Sequence, residues 1–181
     1  MSVRTIERIG SIGLVKKSVE GSKTLPRLND LEDLENFADI ISGNDYLALY
    51  QIFKEVQIWE MTTRDEKELI APILQFGYNE TQSPFLIFPC FEPLVTEQEA
   101  NQLTRSQARE KIYSFLQEKG FSHQESYDWI RRVRLFCDDW GLNEEDILFN
   151  LNNLGWNDIF GLRILDYGMT DQIVKDYLER Y

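Results

Sequence analysis

The chain has 181 residues, with 19 lysines and arginines against 31 aspartates and glutamates, for a formal net charge of −12. Its length fits one domain or two small helical subdomains sharing a core, and its 43% hydrophobic and 13% aromatic content with only five prolines excludes the disordered and low-complexity classes. The two cysteines, Cys90 and Cys137, stand far apart without a CxxC or a Cys/His run, which argues against a disulfide scaffold or a zinc site.

The charge is segregated. Residues 1–28 carry Arg4, Arg8, Lys16, Lys17, Lys23 and Arg27 against Glu7 and Glu20, net +4, while the remaining 13 bases and 29 acids give −16. This predicts a basic, partly flexible N-terminal arm over 1–28 and an acidic domain over 29–181. In the arm Val3, Ile6, Ile9 and Ile12 recur every third residue, and Gly10 and Gly13 interrupt them. The pattern suits a short basic amphipathic element that orders on a partner or docks on the acidic body.

From Asn29 onward helix punctuation dominates. Asn29 or Asp30 caps a helix with Leu31, Leu34, Phe37, Ala38 and Ile41 on one face and an acidic outer face, and Gly43 follows its end. A second helix starts at Asp45 with Tyr46, Leu49, Tyr50, Phe53 and Val56 in its stripe. Thr63-Arg64-Asp65-Glu66 has capping-box spacing, and Pro72 stops that helix near Ala71. Residues 83–93 hold three prolines among dense apolar residues, which predicts an extended or edge-strand crossover rather than a central strand. Further capping boxes begin at Thr96, Thr104 and Ser122, and helices are expected over Glu144–Asn152, Asn157–Leu165 and Asp171–Arg180. A glycine, apolar, cap phrase recurs at Gly120-Phe121-Ser122, Gly141-Leu142-Asn143 and Gly168-Met169-Thr170 as helix stop, staple and start. Its unequal intervals argue against a solenoid.

These elements predict an all-α fold, a compact cluster of about eight short-to-medium helices with one extended proline-rich crossover. The acidic domain divides into subdomains 29–78 and 96–181 joined by 79–95.

Little points to catalysis. The single histidine, His123, falls in the first turn of a helix, where a solvated side chain is expected. A thiol dyad of His123 with Cys90 or Cys137 requires a tertiary encounter that spacing does not supply. Glu144, Glu145 and Asp146 suit the positive end of a helix dipole. HExxH, EF-hand, P-loop and GxGxxG patterns are absent, so no catalytic, metal or cofactor residue is assigned. Arg131, Arg132 and Arg134 form the one dense basic spot of the body and are answered by Asp128, Asp138 and Asp139.

The chain is therefore expected to be a non-enzymatic protein-protein interaction module, a regulator, adaptor or assembly factor, presenting an acidic helical surface to a basic protein partner. One alternative is an immunity protein, antitoxin or nucleic-acid mimic that blocks a basic enzyme. Another is a nucleic-acid-binding regulator working through the arm and Arg131, Arg132 and Arg134, although the acidic body repels phosphate. Candidate partner-binding residues are Arg4, Arg8, Lys16 and Lys17 in the arm and Phe85, Phe88 and Phe91 in the crossover. Without a leader-like or membrane-spanning stretch, the expected address is the cytoplasm.

Overall fold

A computed structural model describes residues 3–9, 13–20, 27–39, 41, 43–170 and 175. In chain order these form β1 (Val3–Ile9), β2 (Leu14–Glu20), α1 (Leu31–Asn36), α2 (Gly43–Met61), α3 (Arg64–Lys67), β3 (Gln75–Tyr78), β4 (Pro84–Pro89) and β5 (Glu92–Pro93). There follow α4 (Glu97–Ala100), α5 (Arg105–Glu118), α6 (His123–Trp140), α7 (Glu144–Leu148), a 3-10 turn, β6 (Leu154–Asn157) and β7 (Gly161–Ile164). Two antiparallel sheets accompany the helices, so the fold is mixed α/β and the all-α expectation is corrected. Among the described residues no helix is long and apolar enough to cross a membrane.

The chain divides into two compact units with interleaved segments. The first comprises 1–63, 71–90 and 167–181, and the second 64–70 and 91–166. Neither coincides with the stretches 29–78 and 96–181 that the charge and helix pattern suggest.

In the first unit a four-stranded sheet runs β1-β2-β4-β3. The segment expected as a basic arm supplies two of its strands, with Arg4 opposite Val19 and Arg8 opposite Val15. On one face Val19, Leu86 and Phe88 are buried with Leu49, Ile52 and Phe53 of α2, the usual consequence of period-2 alternation. The residues of 83–89 form a central strand, because Pro84 and Pro89 terminate β4 and Phe85 to Phe88 keep every ladder N–H. After the second unit the chain returns to α2. Tyr167 is fully buried and its hydroxyl donates to the Ala71 carbonyl at 3.1 Å. Gly168 is needed for close approach and stops no helix: a Cβ there would lie 2.2 Å from the Gln51 carbonyl oxygen. The expected helix Asp171–Arg180 lies, apart from Lys175, outside the described residues.

In the second unit the local grammar holds for α4, α5, α6 and α7. Thr104 with Gln107, and Ser122 with Glu125, form reciprocal capping boxes at α5 and α6. Gly141 ends α6 in the left-handed region at φ 61°, while Leu142 and Ile147 are both buried as the staple. The helix expected over Asn157–Leu165 is instead the β6–β7 hairpin, a second correction. Asn157 Oδ1 accepts the N–H groups of Ile159 at 2.9 Å and Phe160 at 3.2 Å, and Gly161 has φ 75°, which together turn the chain. The Ile164 N–H donates to the Leu69 carbonyl at 2.8 Å, joining 64–70 to this sheet.

Candidate protein-binding surface

Between Leu28 and Phe53 the sequence has six acids and no base. Local chemistry makes α1 from part of this stretch. Asp30 caps it by accepting the Asp33 N–H at 2.9 Å, and Asp33 in turn accepts from the Asn29 backbone and side chain at 2.9 and 2.7 Å. Leu34 is fully buried, and α1 packs on α2. Glu32, Glu35 and Asp39 are left exposed, without a hydrogen bond or ion pair among the described residues. Phe37, at the C-terminus of α1, is 38% exposed. An exposed aromatic in a segment that also carries uncommitted charge has the composition of an interface.

Close by, the Tyr78 hydroxyl donates to the Leu28 carbonyl at 2.5 Å, and the Arg27 guanidinium lies 4.8 Å from the Tyr78 ring centroid. Burial pushes the Tyr78 phenol up from its ordinary pKa; Arg27 opposes that, and Asp33 and Asp30 add to it.

Most acids of the second unit with an assigned contact are committed within it. Glu144 pairs with Arg134 at 2.9 Å, Glu145 with Arg105, and Glu68 with Arg132 at 3.4 Å. Glu66 accepts from the Trp140 indole at 3.3 Å, and Asp128 accepts from Gln124 at 3.1 Å. Glu99 and Glu125 serve caps, and hydrogen bonds from Thr96 and Ser122 respectively hold these two carboxyls below the ordinary carboxylate pKa. The basic spot is engaged too. Arg132 donates to the Asp65 carbonyl at 2.6 Å and Arg134 to Glu144, tying α6 to α3 and α7, while Arg131 is exposed.

The candidate residues named from sequence do not share one surface. Arg8 is exposed on β1, and Arg4 occupies a register position in the same strand. Lys16 is half-buried on β2 with its ammonium 4.9 Å from the Phe85 ring centroid. Lys17, Phe88 and Phe91 are buried, so their side chains serve the cores of their units. Lys17 meets Glu55 of α2 at 2.5 Å, and Phe91 packs near Phe160 with ring centroids 6.2 Å apart. Phe37 escaped the sequence reading because its spacing matched the core stripe; the missing bases around it were the usable signal.

His123 is exposed and stacks on Tyr113 at 5.8 Å between centroids, Cys137 is buried in α6, and Cys90 is half-buried. Among the described residues no group of three or more His, Cys, Asp or Glu side chains could hold a metal ion. Comparison of the chain with protein-family models, with curated proteins and with solved structures gave no match.

Proposed function

We propose that the chain is a non-enzymatic protein-protein interaction module that offers the acidic α1 surface to a basic protein partner. The observation that carries this reading is the set of exposed carboxylates of Glu32, Glu35 and Asp39, without a hydrogen bond or ion pair among the described residues, in a stretch that has no base and also exposes Phe37. Long-range attraction steers a basic partner onto such a surface and repels acidic competitors, and the aromatic supplies the short-range contact.

The test uses the full chain as bait in extracts of its own cells, beside the E32K/E35K/D39K variant. It is run at about 0.1 M and about 1 M salt, where the Debye length falls from about 10 Å to about 3 Å. The expected result is a basic protein captured by the native chain at low salt and lost on charge reversal and at high salt. Capture indifferent to both changes overturns the reading. If the captured partner is an enzyme and binding abolishes its activity, the interaction is a blocking one of the immunity-protein kind.

A further inference from the structure

We infer that Phe115 and Trp156, with their acidic rim, form a seat for a lysine side chain of the basic partner, and that the protein's own Lys119 fills this seat in the unbound chain. The inference rests on the basic-partner reading above and adds where the partner's cation is recognised.

Phe115 comes from α5 and Trp156 from β6, and their rings meet edge-on, with centroids 5.6 Å apart and planes at 71°. The two half-buried rings make a corner with two π-faces. Lys119, the residue that ends α5, is exposed and places its ammonium 4.7 Å from the Trp156 centroid and 5.5 Å from that of Phe115. Both distances lie within the range in which a ring quadrupole attracts a cation. Among the described residues no hydrogen bond or ion pair engages this ammonium, so the two rings are its identified partners. The corner thus already holds the chemistry of its proposed occupant.

Its rim is acidic. The Trp156 indole donates to the Asp158 carboxylate at 2.8 Å, which fixes the ring and brings an exposed acid beside it. Glu92 is directly opposite Trp156 in the β5–β6 pair, and so on the same face, and it is exposed. Glu118 is exposed next to Lys119 in sequence. Carboxylates accept N–H donors, so this rim suits a primary ammonium better than a quaternary one, which relies on the rings alone. An incoming lysine gains both rings and rim, provided that Lys119 swings out. Held only at an exposed cation–π contact, Lys119 reduces the partner's affinity by about two- to five-fold, the equivalent of about 0.5–1 kcal/mol.

The experiment measures binding of a fluorescent oligolysine peptide to the full chain by anisotropy at low salt, comparing native protein with K119M, K111M, W156L, K119M/W156L and E32K/E35K. Lys111→Met removes the same charge elsewhere on α5 and controls for net charge. The expected result is that K119M binds about two- to five-fold more tightly than K111M, and that K119M/W156L binds no more tightly than W156L. Equal affinities of K119M and K111M overturn the lysine seat, and this arm changes only exposed Lys119 and half-buried Lys111. Oligolysine binding weakened by E32K/E35K but indifferent to K119M and W156L also overturns the seat, and leaves the basic-partner reading standing. A gain in K119M with no effect of E32K/E35K supports the seat and moves the partner away from α1. No binding to the native chain or to K119M overturns it as well.

Discussion

Lys17 and Glu55 form an ion pair with side-chain exposures of only 6% and 0%. Removing two charges from water costs more than an apolar pair of the same shape would, so their retention is an argument about register rather than net stability. Lys17 stands on the α2-facing side of β2 among Val15 and Val19, and a one-residue slip of that strand would turn it to the other face. Glu55 also accepts the Tyr167 N–H at 3.3 Å, so one carboxylate joins β2, α2 and the returning chain. Lys17→Met removes the ammonium that meets the buried Glu55 carboxylate at 2.5 Å and should cost about 3–5 kcal/mol. K17M/E55M should cost clearly less than the two single changes added together, because both members of the ion pair are removed at once. Urea unfolding of the four proteins closes the cycle. Additive single costs would show that the pair does not interact as the geometry states.

At the level of elements, the caps carry the second unit's helices. Ser122→Ala removes the hydroxyl that accepts the Glu125 N–H at 3.2 Å, and at neutral pH it should cost about 1 kcal/mol. Glu125 is held below its ordinary pKa by Ser122, so its contribution is present above the unfolded carboxylate value and is lost as pH falls through the depressed folded value. The gap between native and S122A midpoints in urea should therefore narrow from pH 7 to about pH 3; a constant gap would show that the carboxylate takes no part in the cap. Such boxes were legible because donor and acceptor are three residues apart and need no tertiary partner. The strands were not. In β2 the inward set is Val15, Lys17 and Val19, and the central lysine breaks the apolar alternation; its explanation, Glu55, is 38 residues away. The β6–β7 hairpin has strands of four residues, too short for periodicity, although the Asn157 to Gly161 turn carried a readable signal in its Asn and Gly. The acidic surface was legible as composition, and the lysine seat was not, since Lys119 and Trp156 meet only through the pairing of α5 with β6.

On the scale of the whole molecule, the chain contributes three segments to one unit and two to the other, and residues 167–170 pack into the first unit after the chain has built the second. Tyr167 is fully buried, Met169 accepts a weak hydrogen bond from Gln51 at 3.7 Å, and the Thr170 hydroxyl lies 3.3 Å from that of Tyr50. All of these contacts fall on α2, the helix against which α1 and its carboxylates are packed. A chain ending at Asp166 loses the Tyr167 ring and leaves the Ala71 carbonyl and Glu55 without one partner each. Loss of a buried aromatic costs about 3–5 kcal/mol, a large fraction of the stability of an ordinary domain. Native-state hydrogen exchange should accordingly show α1 and α2 amides losing protection by about that amount, with α5 and α6 keeping theirs. Capture of the basic partner through α1 should fail in the same protein, while the tighter oligolysine binding of K119M persists, because Phe115, Lys119 and Trp156 all belong to the second unit. Equal loss of protection in α2 and α6 would show that the two units unfold together. The acidic surface and the lysine seat would then depend on a single cooperative structure, and truncation would remove both at once.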